Sequence, residues 1–283
     1  MWHNRSRKAF ALSMLISGIV STQMLLYACH LIWGWNLESN LFQWCNMWMR
    51  SMGIFSIAHL LDALVLMTLA ALAFAVLRQM WMLHRAGQKL AGSVDIRATK
   101  RLMMKYGEAT EGRLLVIHSP APLAFAMGFV KRRVVLSTGM LAMLDEEEER
   151  AVILHELHHL RHHDPLKTFL MRLHASVFWY IPLLRWLADS YHLAREILAD
   201  AYASGQQGSE AHVGSALLKL IRAGQARPQP YAHVSFAEHA VNYRIRMILD
   251  PRHDVKLRAP WSTVAYSAIS VAALMSLLLW AIV

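Results

Sequence analysis

Residues 145–164 read DEEEERAVILHELHHLRHHD. Asp145 followed three positions later by Glu148 is a capping-box pattern, and it marks a helix start. Glu146 to Glu149 crowd the first turn, where carboxylates favour the positive end of a helix. Pro165, just after Asp164, predicts the stop. HELHH therefore falls in the second half of a helix. Residues four apart share a helix face, so His155 and His159 can aim two imidazoles at one ion. Glu156, adjacent to both, is positioned to act as general base on an attacking water. Zinc fits this donor set, since it lowers the pKa of water and polarises a scissile carbonyl. The competing reading is a solvated, histidine-rich helix in a chain with 16 histidines.

A catalytic zinc site needs a third protein ligand and one open position. Glu196 in REILAD is the best candidate. Asp200, four residues on, lies on the same face, where it can accept the free N–H of a ligating histidine and fix its tautomer. His192, one turn before Glu196, is the weaker rival. The sequence thus predicts one Zn2+ per chain at His155, His159 and Glu196, with Glu156 catalytic and Asp200 in support. His158, His162 and His163 are read as a polar face.

The surroundings are those of a membrane. Mean hydropathy is +0.30 and 56% of residues are hydrophobic. Residues 9–33 and 259–283 carry no Asp, Glu, Lys or Arg, and residues 53–77 carry only Asp62. About 20 apolar helical residues cross a hydrocarbon core of roughly 30 Å, so each stretch can span, and three transmembrane helices are expected. Asp62 and His59, three apart in the second span, can pair there for function or helix contact.

The net charge is +10, and 24 of the 29 Lys and Arg lie in residues 84–258. Basic flanks stay cytoplasmic, which puts the N-terminus and residues 84–258 inside and the 34–52 loop outside. No nucleic-acid-reading motif accompanies the charge, and contact with anionic lipid accounts for it. A cleaved signal peptide is the other reading of residues 1–33, but the apolar run is long and no A-x-A site closes it. Cys29 and Cys45 would both lie toward the outer face, where they could bridge. Two cysteines make no zinc framework.

Between the spans the periodicity changes. RLLVIHS (113–119) and RVVLS (133–137) read as strands. The segment between them, with Pro120, Pro122 and Gly128, reads as a turn or irregular edge. The strands would offer an extended substrate an edge beside the zinc helix. Helices are expected near 95–107, over GMLAML, from Asp145 to the stop at Pro165, and over about 186–203. Residues 166–187 resemble a further span, but Lys167, Arg172 and Arg185 interrupt it, and the uncharged run 173–184 has only 12 residues. One crossing would also put Glu196 across a bilayer from His155. A re-entrant or interfacial segment turning near Pro182 is therefore expected, with Phe178, Trp179 and Tyr180 in lipid. The division expected is a membrane region 1–83 with spans 9–33 and 53–77, a catalytic region 84–258, and a terminal helix 259–283. The fold class is a mainly α membrane protein with a zincin-like helical domain and a small β-sheet.

Three stretches taken in order, PLAFAMGFVKRRVVLSTGMLAMLDEEEERAVILHELHHLRHHDPL, FWYIPLLRWLADSYHLAREILADAYAS and YRIRMIL, resemble the BlaR/MecR-type membrane metallopeptidases over about residues 113–250. The resemblance implies zinc at His155, His159 and Glu196, a catalytic Glu156, and regulated proteolysis of a protein such as a transcriptional repressor. It further implies a bacterial inner-membrane location, an active site facing the cytoplasm, and a homo-oligomer or a separate sensor as partner. Antibiotic-sensing members carry a penicillin-binding domain after the last span; with the sequence ending at Val283, none is expected. The related HtpX type shares HExxH and ExxxD, which brings in a quality-control protease as an alternative. In that type a histidine before an Arg-Ile pair contacts the transition state. His239 with Arg244 approximates it, one residue off. The alternative from another class is a non-catalytic membrane receptor or scaffold with a structural metal site.

Overall fold

The computed structural model describes residues 2–34, 43, 47–48, 50–53, 55–224, 234–250 and 258–276. Cys45, and with it any bridge to Cys29, lies outside them. The chain is mostly helical with one small sheet. It divides into two compact units, Met1–Arg7 with Trp81–Phe169 and Asp189–Lys256, and Lys8–Met80 with Leu170–Ala188 and Leu257–Val283.

The second unit is built on long apolar helices. Helix α1 spans Trp2–Trp33 and α2 spans Phe55–Ala91. Both are long and apolar enough to cross a bilayer, and only 22% and 11% of their most apolar windows is buried. Their apolar surfaces thus face outward, unlike those of a core helix in a soluble protein. Helix α2 does not end with its apolar run but continues through the basic residues to Ala91, well past the expected span. Tyr27 of α1 donates a hydrogen bond to Asp62 of α2. Arg50 lies 3.7 Å and His59 3.9 Å from the same carboxylate. The charge in the second span is therefore tied to a neighbouring helix.

The chain passes through the short helix α6, Asp164–Val177, a turn at 178–180, and α7, Pro182–Gln207. Proline is suited to the first helical position, where its missing N–H costs nothing. Phe178, Ile181 and Leu184 pack with Val20, Met24, Tyr27 and Val65 in the core of this unit. Phe178 is thus buried, and not in lipid as expected; Trp179 beside it is 72% exposed. The final helix, α10, is described over Trp261–Ser276, where Ser267 Oγ accepts the Leu183 N–H at 2.8 Å. Residues 277–283 of the third expected span lie outside the described residues.

In the first unit, α3 spans Ile96–Thr110, capped by the Asp95 side chain on the Ala98 N–H. Strands β1 (Leu114–Ile117), β2 (Ala124–Met127) and β3 (Arg133–Ser137) form a sheet in the order β1-β3-β2. β3 is parallel to β1 and antiparallel to β2. The segment read as a turn or irregular edge thus holds a true edge strand, and Val135 lies in the central one. Helix α4, Thr138–Met143, leads into α5, Glu146–Arg161. The capping box forms as expected, with the Asp145 side chain on the Glu148 N–H and Glu148 on the Asp145 N–H, both at 2.9 Å.

Helix α5 is the centre of the core. Ala151, Val152, Ile153, Leu154, Leu157 and Leu160 are buried with Leu114, Val116, Val134 and Leu136 of the sheet and Val213 and Ala216 of α8, Ala211–Arg222. Each fully buried aliphatic side chain contributes about 1.5–3 kcal/mol. Glu148, 2% exposed, is held by Lys219 and Ser215 of α8, both at 2.5 Å. Helix α9, Val234–Leu249, completes this unit. The face of α5 left partly open is that of His155, Glu156 and His159.

Candidate metal centre

Helical spacing and the packing of α7 beside α5 bring three donors together. His155, His159 and Glu196 each offer a ligand atom within 4.8 Å of the others. His155 Nε2 lies 3.1 Å from His159 Nε2, 3.6 Å from Glu196 Oε2, and the His159 Nε2–Glu196 Oε1 distance is 3.4 Å. All three side chains are only 12–17% exposed. His192, the rival ligand, is 34% exposed, and its Nδ1 is 4.0 Å from Glu196 without joining this group.

The other nitrogen of each histidine is held by a carboxylate. His155 Nδ1 meets Asp200 Oδ1 at 2.9 Å, and His159 Nδ1 meets Asp164 Oδ2 at 2.9 Å. Both Nε2 atoms are thereby turned toward Glu196. Asp200 is legible from its spacing; Asp164 is marked in the sequence only as the residue before the helix-stopping Pro165. It opens α6 after a two-residue turn in which His163 adopts φ +58°. Asp164 is held in turn by Arg195 Nε at 2.7 Å and the Tyr191 hydroxyl at 3.1 Å. These two bonds tie α7 to Asp164 at the start of α6, and Glu196 follows Arg195 on α7.

Arg244 of α9 closes the other side. Its Nε and Nη2 each lie 2.8 Å from an Asp200 oxygen, and Nη1 lies 3.0 Å from Glu196 Oε2. Such planar, bidentate pairing is what guanidinium geometry favours. The side chain of His239, on the same helix, lies outside the described residues. Glu156 is half-buried and makes no hydrogen bond or ion pair among the described residues, so its carboxylate is available for proton transfer.

The electrostatics follow from these contacts. Burial opposes charge on His159, but its bonds to Asp164 and Glu196 raise its pKa to about 10. Burial likewise opposes charge on His155, whose bonds to Asp200 and Glu196 raise it. Burial would raise Glu196 and Asp200; Arg244 and the histidines instead hold Glu196 well below the carboxylate range and Asp200 at about 2. In the metal-free protein His159 is thus held toward its charged form, a charge that a bound cation would replace.

Charge complementarity supports a cation at this place. Asp164 meets Arg195, and Glu196 and Asp200 meet Arg244, while His155, His159 and Glu196 turn two imidazole nitrogens and a carboxylate oxygen toward one point. A second donor group, His158, His159 and Asp164, shares His159. There Arg195 already supplies the cation, and its Nη2 is 3.4 Å from His158 Nδ1. Burial first, then Arg195, pushes His158 down to about 3. The donor set therefore fits one metal ion, not two.

Known proteins resemble this chain over much of its length. The protein-family profile described as BlaR1 peptidase M56 matches residues 6–248. The chain is 30% identical to a protease HtpX homolog of Limosilactobacillus fermentum over 112 residues, 38% of this chain and 36% of that protein. It is 42% identical to a protease HtpX homolog of Methanothermobacter thermautotrophicus over 62 residues, 21% of this chain and 24% of that one. The chain thus matches about a third and a quarter of the length of these relatives.

Proposed function

The chain belongs to the BlaR1 peptidase M56 family, and from that premise we propose that it is a membrane-embedded zinc endopeptidase. The observation that carries the reading is the convergence of His155, His159 and Glu196 beside Glu156, which makes no hydrogen bond or ion pair among the described residues. Two histidines and one carboxylate form a donor set known for catalytic zinc, which leaves a coordination position open. Zinc held there would polarise the scissile carbonyl and acidify the attacking water. Glu156 takes the proton of that water and delivers it to the leaving amine. Asp200 and Asp164 orient the two imidazoles, and Arg244 holds Glu196 and Asp200 in register.

The substrate is a protein or peptide bound in extended form along β2. In the antiparallel β2–β3 pair the Ser137 N–H bonds the Leu123 carbonyl at 2.9 Å. Hydrogen-bonded pairs alternate from there, so the backbone polar groups of Ala124 and Ala126 point to the free edge. Strand addition at that edge would supply hydrogen bonds with little demand on sequence.

The enzyme lies in the bacterial inner membrane with the zinc site on the cytoplasmic side, and residues 166–187 enter and leave by the same face. Three helices span, with 259–283 the last. The regulatory role, cleavage of a repressor-like protein in response to a sensor partner, follows the BlaR/MecR resemblance. An HtpX-type quality-control role has the identities to the two HtpX homologs in its favour. A non-catalytic scaffold lacks such support, because a structural zinc site closes all four positions.

The test is cleavage of a fluorogenic peptide library by purified protein. Chelation should abolish turnover and zinc restore it, and Glu156→Gln should bind zinc without turnover. Full activity in Glu156→Gln would reject the mechanism. Cysteine at Ser209 should react with an impermeant reagent only after permeabilisation; labelling from outside would reject the orientation.

A further inference from the structure

The tip of the β2–β3 hairpin, GFVKRR at 128–133, has no role in the metal centre. Val130 is 89% exposed, the most exposed large hydrophobic residue among those described. It is followed by Lys131 and, at the start of β3, Arg133, both exposed, and neither forms an ion pair among the described residues. The turn is tight. Gly128 has φ +91°, and a Cβ there would lie 2.4 Å from the Lys131 carbonyl oxygen. The conformation therefore requires glycine, and it holds Val130 outward.

Two contacts fix the tip to the rest of the unit. Arg132 donates from Nη1 to the Leu160 carbonyl at 2.6 Å, at the C-terminal end of the zinc helix α5. Phe129 stacks on Phe169 of α6 with centroids 5.3 Å apart. Phe169 is the last residue before the chain passes into the unit of long apolar helices. The surroundings are basic as well. Burial and then Arg132, Lys167 and Arg113 hold the pKa of His163 down, and of these Arg113 is paired with Glu111 at 2.7 Å.

We propose that this hairpin tip is a membrane-interface anchor, with Val130 in the headgroup region and Lys131 and Arg133 on anionic phospholipid headgroups. The inference rests on the membrane reading above. Charge complementarity identifies the occupant, since Lys and Arg close to an anionic leaflet are attracted by its negative surface potential. An exposed apolar residue next to exposed cations matches an interfacial element, with an apolar part and a basic part. An extended acidic peptide would meet the cations equally well, but it would leave Val130 in water. Because Arg132 also holds the end of α5, the anchor sets the height of His155 and His159 above the bilayer. It would thereby select cleavage sites at a fixed distance from the membrane.

The test uses the full chain with Cys29→Ser and Cys45→Ser, reconstituted in nanodiscs of phosphatidylcholine with or without phosphatidylglycerol. An environment-sensitive fluorophore is attached at Val130→Cys and, separately, at Leu77→Cys, a 69% exposed site on α2. Quenching is read with lipids spin-labelled at the headgroup or deep in the acyl chain. The Val130 probe should shift to the blue and be quenched by the headgroup label, more strongly with phosphatidylglycerol. Lys131→Glu with Arg133→Glu should remove that preference. The Leu77 probe should be quenched by the acyl-chain label in both lipids. If Leu77 is quenched and Val130 stays water-exposed, the anchor is wrong and the membrane reading stands. If Val130 is shielded only when an acidic peptide is added, the tip belongs to the substrate path and the anchor is again wrong. If neither probe meets lipid, the membrane reading itself fails.

Discussion

His159 Nδ1 lies 2.9 Å from Asp164 Oδ2, and the same distance joins His155 Nδ1 to Asp200 Oδ1. Two carboxylates from different helices thus perform one task on two successive turns of α5. Each is placed to accept a hydrogen bond from Nδ1–H, which would leave Nε2 as the metal donor.

Asp164→Asn is expected to weaken zinc binding by roughly 10–100-fold, as loss of such a partner does, and Asp200→Asn by a similar factor. Competition with a chelator of known affinity measures both. The Asp164 change should be partly reproduced by Arg195→Met, because Arg195 holds that carboxylate at 2.7 Å.

Arg244 is the cation shared by Glu196 and Asp200. Its loss leaves two buried carboxylates under-compensated, and breaking a buried pair costs about 3–5 kcal/mol. Arg244→Leu should therefore lower the thermal stability of the metal-free protein markedly. Zinc should restore much of the loss, since it brings charge to Glu196. Lysine should not substitute, because it lacks the bidentate fork. Thermal unfolding of metal-free and zinc-loaded protein in detergent checks this. Equal losses in the two forms would assign Arg244 a packing role only.

Zinc loading should release protons at neutral pH. A ligating imidazole must be neutral, whereas His159 is raised to about 10 and His155 is raised as well in the metal-free protein. The raised His159 stabilises the metal-free fold fully below the ordinary value of 6.5. That contribution fades as pH climbs toward 10. Zinc affinity should rise over the same window. Calorimetric titration at pH 7 in buffers of different ionisation enthalpy should report release of about one proton or more. No release would show that the histidines are already neutral.

What the sequence disclosed was local. The capping box, the HELHH face and the Glu196–Asp200 pair each depend on spacing within one helix, so periodicity alone identified them. Asp164 escaped because its contact with His159 depends on the left-handed turn at His163. Arg244 has its partners 44 and 48 positions away, and its role as a charge clamp depends on how α9 packs. Strand β2 was missed because Ala-Phe-Ala-Met has no β-branched residue and lies between Pro122 and Gly128. Helix α7 begins earlier than expected because Pro182, read as a turn signal, occupies its first position.

Proline at Ala126 tests the edge strand. Its N–H points away from β3, so the sheet keeps its hydrogen bonds while the substrate loses one. Zinc content should be unchanged and cleavage reduced by about tenfold, as expected for one hydrogen bond of about 1.4 kcal/mol. Unchanged turnover in the folded variant would move the substrate off β2.

The most direct test of the central claim compares new protein N-termini in cells carrying the wild-type protein or Glu156→Gln, with zinc content verified in both. A defined set of cleavage products should be present with the wild type and absent with Glu156→Gln, although both proteins hold zinc. Identical sets of N-termini from the two strains would contradict the assignment of this chain as a zinc peptidase.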